Sequence, residues 1–295
     1  MLKLVLPSGS LQKGTIDLFD AANLCISTPD ARCYEATIDD HRIALARWMR
    51  PQEIPLYVSE GLFDLGIGGY DWVLEQGCAD KVEIVAKLNY SRQSNRPVKL
   101  IVAVSEKSGI NSPADLVAGS RVTTEYVGIA NSYFAKLGKP MKIDFSFGTT
   151  EAKIPEIADI LVDLTESGSS LRANNLKVID TIMESSTVLM ANKASWNDPQ
   201  KRPYINDLET LLLGVLNARG KVLVKMNVAR ADLEAVLVVL PSMKTPTISQ
   251  LCGGPVEYCA IESVVEKNSI NVLIPRLKAA GAEDIIEIPI SKVIR

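Results

Sequence analysis

The 295-residue sequence predicts an α/β protein, a two-lobed region followed by a smaller C-terminal unit. Short apolar runs alternate with amphipathic stretches over most of the chain, the pattern of strands and helices laid down in turn. A polar, proline-terminated stretch, Ser91-Arg92-Gln93-Ser94-Asn95-Arg96-Pro97, interrupts that alternation and reads as a crossing to a second lobe. From Gly220 onward the order becomes strand, helix, strand, strand, helix, strand, which is a ferredoxin-like arrangement.

Residues 2–6 predict the first strand and residues 10–22 a helix. Residues 62–67 predict a strand that passes through Gly68-Gly69 into a helix near 71–75, and 81–86 a further strand. Past the crossing, 99–104 predicts a strand, and Ser112-Pro113 caps and opens a short helix, because serine satisfies orphan N–H groups and proline suits the first turn. A strand over 121–125, a helix over 129–137 and strands over 142–147, 157–163 and 178–183 complete the second lobe. Residues 187–191 begin a return to the first. The long helix predicted over 204–218 carries Ile205, Leu208, Leu211, Leu212, Val215 and Leu216 on one stripe. The C-terminal unit reads as strand 222–226, helix 231–238, strands 245–251 and 256–264, helix 272–280 and strand 284–289.

Composition excludes several classes. A net charge of -3, with basic residues scattered rather than massed, argues against a nucleic-acid surface. The apolar run at 1–7 is too short for a signal peptide, and nothing downstream approaches a membrane span, so the expected location is cytoplasmic. Cys25, Cys33, Cys78, Cys252 and Cys259 are odd in number and have no C-x-x-C spacing, which points to neither a disulfide framework nor a zinc site. The single histidine, His41, lies in the charged stretch Asp39-Asp40-His41-Arg42 and reads as a solvated or structural residue. No Ser-His-Asp or Cys-His machinery can be assembled around another imidazole.

The densest chemistry lies between residues 157 and 175. The run 157–164 is apolar except for Asp159 and Asp163, as in a strand buried within a parallel sheet, which puts Asp163 near the carboxyl end where open α/β sheets bind ligands. Glu166-Ser167-Gly168-Ser169-Ser170 then offers successive backbone N–H groups and three hydroxyls, a concavity suited to a phosphate dianion. Asp163 is placed to accept hydrogen bonds from ribose hydroxyls. Taken alone, the loop reads equally well as an ordinary strand–turn–helix.

Arg50, in Arg50-Pro51-Gln52-Glu53, is a candidate for a phosphate or purine edge, since Pro51 holds the turn and a guanidinium binds phosphate bidentately; the bland alternative is a solvated arginine. Gly66-Ile67-Gly68-Gly69 lacks the third glycine and the distal acid of a dinucleotide fingerprint. It reads better as a strand–turn–helix presenting amides and Asp71 to a cleft. Glu125, ending a strand, is a candidate purine contact.

The match Asp163-Leu164, Ser167-Gly168, Ser169-Ser170-Leu171 and Asn174 resembles the phosphoribosyl-pyrophosphate loop of the ATP phosphoribosyltransferase family. Leu4-Val5-Leu6-Pro7-Ser8-Gly9-Ser10-Leu11, Arg50-Pro51-Gln52-Glu53-Ile54-Pro55, Asp64-Leu65-Gly66-Ile67-Gly68-Gly69 with Asp71, and the tail from Lys225 to Ile294 are similar in order and spacing, so the resemblance covers the whole chain in the long form of that family.

It implies a periplasmic-binding-protein-like two-lobe catalytic region, with residues 1–93 and 187–219 as one lobe and 94–186 as the other, and a histidine-sensing ferredoxin-like domain over 220–295. The implied reaction joins N1 of ATP to the anomeric carbon of phosphoribosyl pyrophosphate, the first step of histidine biosynthesis, with Mg²⁺, feedback inhibition by histidine and a homo-oligomer from dimer to hexamer. The resemblance implies Asp163 as the catalytic residue, and phosphoribosyl-pyrophosphate contacts at Asp159, Asp163, Thr165, Glu166, Ser167, Gly168, Ser169, Ser170 and Leu171. Gly9, Ser10, Arg50, Gly68, Asp71 and Glu125 fall on the nucleotide side; the metal ligands are not implied. Ser8 stands where many members have lysine, which removes a phosphate-facing charge, and Ser170 stands where threonine is usual. Two other classes fit these features less well. A non-catalytic binding protein of the same fold needs no phosphate loop and commonly has a secretion signal, and a stand-alone sensor leaves residues 1–219 unexplained.

Overall fold

In the computed structural model, which describes residues 1–30, 33–90, 97–253 and 256–295, the chain opens with β1 (Leu2–Pro7) and α1 (Gln12–Ala21). Then come β2 (Ile26–Ser27), β3 (Glu35–Ile38), β4 (Ile43–Met49), α2 (Ile54–Ser59), β5 (Leu65–Gly69), α3 (Tyr70–Glu75) and β6 (Val82–Lys87). The second group is β7 (Val98–Ser105), β8 (Arg121–Thr124), α4 (Val127–Lys136), β9 (Lys142–Phe145), β10 (Ile160–Thr165), α5 (Ser169–Ala173) and β11 (Leu176–Ser185). After β12 (Thr187–Asn192), α6 (Lys193–Asn197) and α7 (Arg202–Ala218) follow β13 (Lys221–Ala229), α8 (Leu233–Val239), β14 (Thr247–Gln250), β15 (Tyr258–Glu266), α9 (Ile270–Ala279) and β16 (Ala282–Pro289).

The strands form sheets of order β2-β3-β4-β1-β5-β12-β6, β11-β7-β10-β8-β9 and β14-β15-β13-β16. All of β1 except Lys3 is buried, as a strand covered on both faces must be. The chain crosses from the first sheet to the second before β7 and returns at Ser186, between β11 and β12. The core of the second sheet gathers Leu100, Val102, Val104, Val122, Ile160 and Val162 beneath Ala130 and Phe134 of α4.

Two compact units divide at Thr210/Leu211, inside α7. In the C-terminal unit β13 alternates strictly, with Val222, Val224, Met226 and Val228 buried against Leu233, Val236, Leu273 and Leu277 of the helices. Its tail returns to the helix end, where Val293 N–H donates to Gly214 O at 2.9 Å. Among the described residues no helix is long and apolar enough to cross a membrane.

Several expectations need correcting. The second sheet is mixed rather than parallel: β10 runs parallel to β8 but antiparallel to β7, and β11 is antiparallel to β7 as well. An apolar run reports burial on both faces, not the direction of its partners. The strand expected over 157–163 begins at Ile160 and continues to Thr165, because Ile157 is exposed and the run before Ala158 turns in a short 3-10 segment. Asp163 stays near the carboxyl end of the strand, two residues before Thr165. The strand expected over 62–67 is displaced to Leu65–Gly69, Leu62 being exposed. Strands β2, β3 and β4 and helix α2 add to the expected elements: β2, β3 and α2 are two, four and six residues long, too short to display a period, and the alternation of β4 slips near Leu45, where its register with β1 shifts. Of the crossing expected over 91–97, residues 91–96 lie outside the described residues.

Candidate active site

A cavity of about 500 Å³ opens where the chain passes between the first two sheets. One side is made by Ser10, Leu11, Pro51, Gln52, Gly69, Asp71 and Trp72, and the other by Glu125, Tyr126 and the unbroken run 164–170. The crossing segments supply Asn89, Tyr90, Val98 and Ser185 to Thr187 between them. Tyr90 is fixed there by a 2.7 Å hydroxyl contact with Thr15, and its carbonyl accepts from the Thr187 hydroxyl at 2.6 Å.

The loop after β10 is a built turn. Gly168 has φ +68, in the left-handed region that glycine enters without strain. Its N–H donates to the Thr165 hydroxyl at 3.1 Å, Ser167 and Ser169 hydroxyls lie 3.0 Å apart, and Arg172 donates to Ser167 O at 3.0 Å. Helix α5 starts immediately afterwards, so the N–H groups of its first turn have no intrahelical acceptor. The turn thus brings Thr165, Glu166, Ser167, Gly168, Ser169 and Ser170 to the cavity wall together. Leu171, the next residue, points the other way and anchors the helix among Ile101, Ala103, Leu161 and Leu176.

Facing this loop, Gly69 leads from β5 into α3. A Cβ there would fall 2.3 Å from Asp71 Oδ1, so the turn admits only glycine while that carboxylate holds its place. Asp71 is 2% exposed and accepts from the Tyr126 hydroxyl at 2.8 Å and from the Ser185 hydroxyl, which in turn accepts from Asp71 N–H at 3.0 Å. Burial pushes the Asp71 carboxyl above its ordinary value, while both hydroxyls pull it back. Burial beside this carboxylate also drives the Tyr126 phenol well above its usual range. Trp72 stacks on Tyr126 with ring centroids 4.5 Å apart, and Glu75 accepts from Gly128 and Ile129 N–H at 2.8 and 2.9 Å, so α3 holds the start of α4 at several points. Gln52 reaches Glu125 at 3.5 Å.

Asp163 adjoins the lining run one residue before Leu164. Its carboxylate accepts from the Thr150 hydroxyl and, at 2.7 Å, from Leu164 N–H. Burial raises its pKa to about 6, opposed by those hydrogen bonds and reinforced by the charges of Glu151 and Glu125.

Other candidates are placed elsewhere. Asp159 precedes β10, at the opposite end of the strand from the loop, a separation of about 20 Å at the usual rise per residue; it is paired with Arg121 at 2.7 Å. Ser10 joins the cavity wall, whereas Gly9 sits in the preceding 3-10 turn and Gly68 faces Met190 and Ile54 in the core. Arg50 lines a second hollow, of about 570 Å³, with Ser8, Arg47, Trp48, Glu53 and Tyr57. His41 is exposed and meets the edge of Tyr204.

The residues that reasoning from sequence missed are Gln52, Trp72, Tyr126, Tyr90 and Ser185. Only the Ser185-Ser186-Thr187 cluster before the return strand carried a signal, as a polar break between apolar runs. Among the described residues no group of three or more His, Cys, Asp or Glu is arranged to hold a metal ion.

The fold and site define a two-lobe α/β protein with a ligand cleft at the lobe crossing and a separate ferredoxin-like domain. The family described as ATP phosphoribosyltransferase matches residues 50–213, and "HisG, C-terminal domain" matches 218–292. An ATP phosphoribosyltransferase of Pelodictyon phaeoclathratiforme is 47% identical over 100% of this chain and 98% of its own, and one of Pelotomaculum thermopropionicum is 46% identical over 99% of each. Among solved structures, the ATP phosphoribosyl transferase (HisG:HisZ) complex from Thermotoga maritima superposes with TM-score 0.60 at 23% identity, covering 72% of this chain and 96% of that one, and so supports the fold. The chain belongs to the ATP phosphoribosyltransferase family of histidine biosynthesis and is a phosphoribosyl-transferring enzyme.

Proposed function

We propose that this enzyme condenses ATP with phosphoribosyl pyrophosphate to give N1-(5-phosphoribosyl)-ATP and pyrophosphate, and that histidine inhibits it through residues 220–295. The observation that carries the reading is the cavity itself, in which the serine–glycine turn 166–170, with Glu125 on its own side, faces Gln52 and Asp71 across a space of substrate size. The N1 lone pair of the purine forms the bond to the anomeric carbon as the bond from that carbon to pyrophosphate breaks, and the leaving pyrophosphate takes the electron pair.

This reaction needs no protein nucleophile. Catalysis rests on holding the two substrates in line and stabilising developing charge. Ser167, Ser169 and Ser170 with the loop amides cradle the 5′-phosphate, Asp163 accepts the ribose hydroxyls, and Glu125 and Gln52 contact the purine. Arg50, with Arg47 beside it, offers cationic charge to the ATP phosphates in the second hollow. Asp71 acts within the wall rather than on the nucleotide, since it is 2% exposed and both of its oxygens accept protein hydroxyls, whereas Asp163 keeps partial exposure. Mg²⁺ bound with the polyphosphates would be held through their phosphate oxygens rather than by a carboxylate cluster and would offset their charge. Residues 1–93 with 187–219, and 94–186, act as lobes that close on the substrates, in a cytoplasmic homo-oligomer between dimer and hexamer. The test is incubation with ATP, phosphoribosyl pyrophosphate and Mg²⁺ while following the ultraviolet change of the adduct; no adduct from folded protein overturns the reading.

A further inference from the structure

We propose that Thr150 is a positioning residue for the phosphoribosyl donor, its hydroxyl holding the Asp163 carboxylate ionised and aimed for the ribose hydroxyls. The inference rests on the reading of Asp163 as the ribose acceptor. Thr150 is 2% exposed, and its hydroxyl donates to Asp163 Oδ2, with Glu151 Oε2 at 3.3 Å the more distant acceptor, while Leu164 N–H takes Oδ1, so among the described residues each carboxylate oxygen has one donor.

The segment that delivers this hydroxyl has an unusual local shape. Gly148 has φ +106 and the non-glycine Thr149 has φ +49, a turn that lowers Thr150 onto β10. Lys153 closes the segment by donating to the Ser146 hydroxyl at 2.6 Å, and Ser146 donates to Gly148 O at 3.2 Å. Its ammonium is thereby directed along the segment, to Ser146.

The charged and titratable groups about Asp163 can be taken element by element. Glu151, beside Thr150, and Glu125, after β8, both disfavour the ionised form. Tyr126, following Glu125, gives its hydroxyl to Asp71. The neighbouring strand β7 places Ile101 opposite Asp163, and its Lys99 lies opposite Thr165, 3.9 Å from Glu184. With two carboxylates opposing ionisation, the Thr150 hydroxyl and the Leu164 amide are the donors that sustain it. A side chain of the same shape without the hydroxyl leaves Asp163 with one donor, and protonation then begins at higher pH.

The experiment is a pH profile of kcat/KM for phosphoribosyl pyrophosphate in wild type, Thr150→Val, Thr150→Ser and Asp163→Asn, with folding checked by circular dichroism. Thr150→Val should move the acidic limb upward by roughly half to one pH unit. It should raise KM for the donor by roughly threefold to tenfold near pH 6, with the gap narrowing as pH rises. Thr150→Ser should restore the wild-type profile. If Asp163→Asn is impaired while Thr150→Val keeps the wild-type limb, the proposal is overturned and the ribose reading stands. If Asp163→Asn behaves as wild type, the ribose reading fails and this proposal falls with it.

Discussion

The Tyr126 hydroxyl donates to the Asp71 carboxylate at 2.8 Å, linking the helix that follows one sheet to the segment that follows a strand of the other. Both residues line the cavity, yet each is almost wholly buried. Tyr126→Phe removes a donor from a carboxylate with little access to water. The expected cost is about 1–3 kcal/mol of stability, read by urea unfolding, because the acceptor is left partly unsatisfied. An unchanged unfolding midpoint would show that this link contributes nothing.

Asp163 makes a prediction about stability against pH. Its folded value of about 6 lies above its ordinary 3.8, so the folded chain holds this proton more tightly than the unfolded one. The resulting stabilisation is fully present below the ordinary value and is lost as pH rises through about 6. A shift of about two units corresponds to roughly 3 kcal/mol at most. Carboxylates held low by partners, such as Asp40 and Asp159, slope the opposite way. The difference between wild type and Asp163→Asn therefore isolates the effect: relative to wild type, the variant should gain stability between pH 4 and 7, as unfolding at several pH values will report.

The same variant tests the site. Loss of one charge-assisted hydrogen bond to ribose should lower kcat/KM for phosphoribosyl pyrophosphate on the order of tenfold to a hundredfold at neutral pH. Wild-type kinetics there would remove Asp163 from the mechanism.

Gly168→Val should be worse than alanine at Ser167, Ser169 or Ser170. The added side chain is strained at a φ of +68 and its Cβ would lie 3.1 Å from the Arg172 guanidinium, which must give way, whereas one lost neutral hydroxyl costs about 1 kcal/mol. Comparing KM for phosphoribosyl pyrophosphate across the four variants decides it; equal values would mean that this turn does not cradle the phosphate.

Removing the chain after Arg219 should abolish inhibition by histidine while leaving some transferase activity. The structure adds a condition. Ile294 packs where a Cβ on Gly214 would lie, and Asn217 donates to Val293 O at 3.4 Å, so truncation uncovers the last turns of α7. Initial rates with and without histidine, with light scattering to follow association, separate lost regulation from lost assembly. Retained inhibition in the truncated chain would move the effector site into residues 1–219.

Much of the architecture was legible because it depends on local chemistry. The apolar runs of β1, β7 and β13, the stripe of α7 and the Ser112-Pro113 start of a one-turn helix all express burial or capping within a few residues. The elements between residues 26 and 59 were hidden because most are too short to display a period and β4 slips out of phase where its register with β1 shifts; β4 is stabilised by that pairing, which no local pattern reveals. The serine–glycine turn was visible for the same reason as the strands, since a left-handed glycine before a helix leaves a compositional trace.

By itself, then, the sequence determined the α/β class, the βαββαβ tail and the existence of a serine–glycine turn before a helix, all properties set by periodicity and by the backbone preferences of a few residues. Tertiary structure alone decided that Asp71 spends its oxygens on Tyr126 and Ser185, that Arg50 faces a different hollow from Gln52, that Asp159 lies at the far end of its strand, and that Thr150 meets Asp163. Those outcomes join residues up to 114 positions apart. They depend on strand direction and on which partner reaches a buried polar atom first, and hydrophobic pattern carries no record of either.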